Sequence, residues 1–176
     1  METRTSQATE PAALAHKPGS SLPRRILVVD DDGDMRQFNV EILVQSGYHV
    51  DSATDGAVAW AILQKANYDL LVTDNDMPKI SGIELLKTLH AARRALPVIM
   101  ATGTSPDHEF TRHPWIKPAA VILKPYTVEK FLGTVNEVLL ATLSSHADAM
   151  ALPNRPPSGS SYGWETTMIT YRGLKL

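Results

Sequence analysis

The 176-residue chain contains no cysteine. That excludes disulfide staples, thiolate nucleophiles and zinc sites built on cysteine, and it fits a reducing cytoplasm. Nor is there a strong charge of either sign. A formal net charge of −2 argues against broad electrostatic binding to nucleic acid or to an anionic membrane. No apolar run approaches the roughly 20 residues that cross a bilayer. Residues 1–21 also lack the continuous apolar core of an export signal. A cytoplasmic protein with no membrane contact and no direct nucleic-acid binding is therefore expected. What the chain does have is 43% hydrophobic residues, enough to bury the core of one ordinary domain.

Composition divides the chain into three zones. Residues 1–23 are rich in Thr, Ala, Ser and Pro and read as a disordered tail. Residues 24–144 alternate short apolar runs with helical patterns. Residues 145–176 hold a Pro/Gly/Ser linker over 153–163 and a tail beginning at Trp164. In that tail Trp164, Met168, Ile169 and Tyr171 fit a docking segment, an extra strand or a disordered end.

The middle zone predicts five strand–helix units. Residues 26–29 (ILVV) form a continuous apolar run, as a strand covered on both faces requires. A helix over 34–46 follows, with Met35, Phe38, Ile42 and Leu43 on one face and Gly47 as its stop. Residues 48–53 read as a strand. Asp55 can cap a second helix in which Val58, Ala61 and Ile62 share a face. Residues 70–72 (LLV) are the third strand. Ser81 and Glu84 have capping-box spacing for a third helix with Ile83 and Leu86 inward. Residues 97–101 and 120–123 are the remaining strands. Between them Pro106, Pro114 and Pro118 allow at most a short helix before Pro114. Thr127 can cap a last helix with Val128, Phe131, Leu132, Val135 and Leu139 at helical spacing. Arg93 and Arg94 read as a solvated helix end, and Trp60 as packing. His49, His90, His108 and His113 show no ligand spacing.

Alternating strands and helices imply a doubly wound parallel α/β sheet with helices on both faces. In such a sheet ligands bind at the carboxyl ends of the strands. The reactive residue types fall there. Asp30, Asp31 and Asp32 follow the first strand, and Asp74 the third, with Asp76 two residues on. Thr102 ends the fourth strand and Lys124 the fifth. Converging carboxylates repel, and a hard divalent cation relieves them. Oxygen ligands suit magnesium, which keeps several waters and takes one or two protein carboxylates. Phosphoryl transfer asks for positioning and charge stabilisation. Lys124 and the Thr102 hydroxyl can each hold a phosphoryl oxygen, and Asp74 can act as the nucleophile.

Four stretches together, ILVVDDD at 26–32, LLVTDNDMP at 70–78, VIMATG at 98–103 and LKPY at 123–126, resemble the receiver domains of two-component response regulators. The resemblance covers 24–144 and implies a flavodoxin-like five-stranded sheet of order 2-1-3-4-5. It implies that Asp74 is the phosphoacceptor and a metal ligand, that Asp31 binds Mg2+ directly, and that Asp30 acts largely through water. Asp76 would give its backbone carbonyl to the metal. Thr102 and Lys124 would hold the phosphoryl group, and Lys124-Pro125 would be cis. Asp32 is given no firm role. Receivers commonly carry an aromatic three positions before the lysine; here that residue is Val121. A second surface, one including Trp115, could then carry output.

The function implied is a phosphorylation-dependent switch of a phosphorelay. It would be charged by a histidine kinase or histidine phosphotransfer protein and act on a downstream protein. It would not be an enzyme beyond assisting its own phosphorylation and dephosphorylation. Residues 145–176 are short for a DNA-binding output domain, which favours a single-domain regulator. Val121 and the proline-broken fourth helix keep open a phosphorylation-independent binding module. A metal-dependent phosphohydrolase is a third reading, although no insert able to enclose a substrate is evident.

Overall fold

In the computed structural model, residues 23–150 are described, with side chains to residue 144. The N-terminal tail to residue 22, the linker and the Trp164 segment lie outside the described residues. The elements run β1 (Arg25–Val29), α1 (Gly33–Gln45), β2 (His49–Ala53), α2 (Gly56–Leu63), β3 (Leu70–Thr73), α3 (Gly82–Ala91), β4 (Val98–Thr102), α4 (Asp107–Arg112), β5 (Ala120–Leu123) and α5 (Val128–Met150). All four strand pairings are parallel, in the order β2-β1-β3-β4-β5. This is the doubly wound parallel sheet that the alternating pattern implied, in the flavodoxin-like order that the resemblance implied.

Strand side chains alternate between two cores. Leu27, Val29, Leu71, Val98 and Met100 point to the face covered by α2 and α3, where they meet Ala59, Leu63, Ile83, Leu85 and Leu89. Ile26, Val28, Leu70, Val72, Ile99 and Ala101 point to the other, under Ile42 and Leu43 of α1 and Phe131, Val135 and Leu139 of α5. Double coverage explains why β1, β3 and β4 read as unbroken apolar runs.

Several local expectations change. On α1, Phe38 is 41% exposed, and Asn39 is buried in its place. Its amide nitrogen donates to the Tyr126 hydroxyl at 2.9 Å, so a polar pair fills that part of the helix face. On α2 the buried residues are Gly56, Ala59 and Leu63; Val58 and Ala61 face outward. Packing close to β1, β2 and the loop after β3 selects the small residues. On α5, Val128 is exposed while Phe131 and Val135 are fully buried. Arg93 is exposed as expected, but Arg94 is only partly exposed, and its guanidinium reaches the carbonyl of Leu63 at the end of α2. The strand at 97–101 starts at Val98, and α1 starts at Gly33. Asp32, without a role in the sequence reading, is the N-cap of α1 and accepts from the backbone N–H groups of Asp34 and Met35.

The capping box of α3 is present in both halves: Ser81 accepts from Glu84 N–H, and Glu84 from Ser81 N–H. The prolines limit α4 to six residues ending before Pro114. The Lys124-Pro125 bond is cis.

Candidate functional site

Four strand ends deliver the predicted side chains to one rim of the sheet. The Asp74 N–H donates to the carbonyl of Val29, which keeps the ends of β1 and β3 together. Lys124 arrives from β5, its N–H bonded to the carbonyl of Thr102 at the end of β4. Its ammonium then lies 2.8 Å from Asp30 Oδ2 and 3.2 Å from Asp74 Oδ2. Asp30, Asp31 and Asp74 can each offer one oxygen within 4.8 Å of the others. An all-oxygen set of this size fits a magnesium ion that keeps part of its water shell.

The two adjacent acids are not equivalent. Asp30 is 2% exposed. One of its oxygens accepts a hydrogen bond from the Lys124 ammonium at 2.8 Å and the other accepts the Asp32 N–H at 3.0 Å. Burial raises its pKa, against the opposing pull of Lys124. Asp31 is exposed, with its carboxylate free to face solvent or a cation. Burial pushes Lys124 down, but the hydrogen bond and charge of Asp30 and the charge of Asp74 outweigh it, so its pKa is raised and it stays an ammonium.

Asp74 is nearly buried, and its Oδ1 accepts the Asn75 N–H at 2.7 Å. Thr102 is fully buried, and its Oγ1 has no hydrogen-bond partner among the described residues. Buried hydroxyls are ordinarily satisfied. This one stands at the end of β4, where the Thr102 carbonyl accepts the Lys124 N–H. Asp76 lies exposed in the loop between β3 and α3, its side chain bonded to Asn75. Val121 is 37% exposed on β5, with no ring at that position.

Other contributors were not singled out from the sequence. Arg36 donates to the carbonyl of Asp30 at 2.7 Å and braces the acidic turn from α1. Gly82 lets α3 begin against Asp74: a Cβ there would lie 2.3 Å from the Asp74 carbonyl oxygen. A glycine just after a capping serine was the available signal for that close approach. His90 and His113 hold no ligand geometry; their rings flank Trp115, with centroids 4.7 and 5.6 Å away.

A family model described as the response regulator receiver domain matches residues 26–136. The response regulator receiver protein CpdR of Brucella abortus is 34% identical over 123 residues, covering 67% of this chain and 98% of that protein. The chemotaxis response regulator CheY4 of Vibrio cholerae superposes with a TM-score of 0.61 at 28% identity, over 66% of this chain and 99% of the other. The response regulator TrrA of Thermotoga maritima, solved in complex with Mg2+ and BeF, gives a TM-score of 0.58 at 28% identity, over 65% and 98%.

Proposed function

The chain belongs to the response regulator receiver-domain family of two-component signalling, and from that premise we propose that it is a phosphorylation-dependent switch whose phosphoacceptor is Asp74. The observation that carries the reading is the convergence of Asp30, Asp31, Asp74 and Lys124, next to a strand end whose Thr102 carbonyl accepts the Lys124 N–H and whose Thr102 hydroxyl has no partner among the described residues. A carboxylate oxygen of Asp74 attacks the phosphorus of a phosphohistidine. The new P–O bond forms as the P–N bond breaks, and the imidazole leaves with the electron pair and takes up a proton. Lys124 and Thr102 each hold a phosphoryl oxygen. Asp31 and Asp74 would hold Mg2+ through their carboxylates and Asp76 through its backbone carbonyl, while Asp30 would act through water and by orienting Lys124. Magnesium, when bound, neutralises excess negative charge and holds a phosphoryl oxygen. That the Thermotoga relative was solved in complex with Mg2+ and BeF supports a magnesium site in a chain of this family.

In this reading the donor is a histidine kinase or histidine phosphotransfer protein. The protein is a phosphoacceptor and turns over no external substrate. No helix among the described residues is long and apolar enough to cross a membrane, and the site is proposed to work in the cytoplasm.

The test uses the purified chain, Mg2+ and acetyl phosphate, followed by intact mass and peptide mapping. One phosphoryl group should appear on Asp74 and none on the Asp74→Asn variant. Equal behaviour of the two proteins refutes the mechanism. Partner binding that is unchanged by phosphorylation would favour the binding-module reading, which draws on Val121.

A further inference from the structure

The loop between β3 and α3 carries Asp76, and it is tied down from two sides. Its own base is closed by the Asn75 carbonyl, which accepts N–H groups of Met77 and Gly82 at 3.0 and 3.2 Å. The Asn75 side chain also accepts the Ile83 N–H at 3.2 Å. The far side is tied to α2. There the Gly56 N–H donates to the carbonyl of Ile80 at 3.2 Å. A Cβ at position 56 would lie 2.5 Å from that oxygen, so the helix start sits directly against the loop.

Between these ties lies a salt bridge that the proposed chemistry does not use. Lys79 Nζ is 2.6 Å from Asp55 Oδ2. The two partners differ sharply: the lysine side chain is 65% exposed and the aspartate side chain 3%. Asp55 is fixed, because its other oxygen accepts the N–H groups of Ala57 and Val58 at 3.0 and 2.9 Å. Lys79 therefore comes to Asp55. It does so with a left-handed backbone, φ +67°, a conformation that residues other than glycine avoid. Strained backbone of this kind persists where surrounding contacts hold it. An ion pair with one exposed partner adds little to global stability. Its consequence is geometric, because it fixes the loop three residues after Asp76.

We propose that Asp55 and Lys79 are a positioning pair that sets the magnesium affinity of the site by holding the loop that carries Asp76. The proposal rests on the metal-site reading above and deepens it, since neither residue is among the proposed ligands. Residues that orient metal ligands commonly change affinity on the order of tenfold or more when lost.

Charge gives the test its sign. Lys79→Met removes a cation near a cation site, so electrostatics alone would tighten Mg2+ binding. Loss of positioning loosens it. Full-length wild type, Lys79→Met, Asp55→Asn and Lys79→Arg are titrated with MgCl2, following the amide NMR shifts of Asp31 and Asn75. Asn at position 55 keeps the helix cap, so that variant tests the pair without uncapping α2. Lys79→Met and Asp55→Asn should weaken binding on the order of tenfold. Lys79→Arg, which restores a cation, should recover most of the affinity. Wild-type binding combined with equal or tighter binding by Lys79→Met overturns the pair's role and leaves the metal site standing. Absence of magnesium-dependent shifts in the wild type overturns the metal site, and the pair's role with it.

Discussion

Replacing Thr102 by valine should make the unphosphorylated protein more stable and the phosphoacceptor worse. Thr102 is fully buried and its hydroxyl has no partner among the described residues. A buried hydroxyl left unsatisfied costs about 1–3 kcal/mol. Valine has the same branched shape and opens no cavity, so the variant should recover about 1 kcal/mol of that cost. For a domain of this size the gain corresponds to a rise in Tm of about 3–6 °C. Valine also suits a strand slightly better than threonine, and the protein contains its own control for that effect. Thr73 is equally buried at the end of β3, but its hydroxyl donates to the Asp74 carbonyl at 2.9 Å. Thr73→Val gains the same strand preference and loses a real hydrogen bond, so it should be destabilised by about 1 kcal/mol. Urea unfolding without magnesium, read at unchanged m-value, measures both variants. Phosphorylation by acetyl phosphate should slow in Thr102→Val, because one phosphoryl oxygen loses its donor. If Thr102→Val loses as much stability as Thr73→Val, the hydroxyl is not an orphan and the argument from it fails.

Gly82→Ala should drive a methyl group to 2.3 Å from the Asp74 carbonyl oxygen and 3.0 Å from Asn75 Cα. Both obstacles are backbone, so the variant should lose at least about 1–3 kcal/mol in urea unfolding and phosphorylate poorly through a displaced Asp74. Tyr68 offers a pH signature away from the site. Burial, with its 2.8 Å hydrogen bond to Asp51, raises its pKa to about 12. An unfolded tyrosine titrates near 10. The stabilisation is therefore complete below about pH 10 and is lost as pH rises toward 12. The wild type should fall in stability more steeply across that window than Tyr68→Phe; parallel curves would refute the assignment.

The strand ends were legible because their chemistry is anomalous for the positions they occupy. An apolar run ending in acids, as at Asp30 and Asp74, or in a lone lysine, as at Lys124, has no packing reason to end that way. Convergence then follows from the parallel topology, since every strand delivers its carboxyl end to one rim. What the sequence concealed were contacts made between elements. Asn39 reads as an ordinary polar residue of α1 until Tyr126, 87 residues on, supplies its partner. Phe38 reads as core until the turn of the helix carries it outward. The Asp55–Lys79 bridge spans 24 residues and two loops, and no periodicity records it. The small buried face of α2 was misread because hydrophobic spacing favoured Val58 and Ala61, whereas close packing selects Gly56 and Ala59. Spacing thus placed the helices well and their rotation less well.

The charge balance of the site explains why the three acids and the lysine occur together. Three carboxylates share a space under 5 Å across with one ammonium. At an effective dielectric of about 20, two unit charges that close repel by on the order of 3 kcal/mol. Lys124 meets two of the three carboxylates, and the third, Asp31, is left facing solvent. Phosphorylation would replace the single charge of Asp74 by about two, which the lysine alone cannot offset. In the reading proposed above, Asp31 and Asp74 would hold a divalent cation whose charge would offset that excess. Without Lys124 the buried Asp30 carboxylate would lose the ammonium that its side chain pairs with. Each group is tolerable in this half-buried place because the others are present, so the constellation works as a unit and its members cannot be exchanged one at a time without loss.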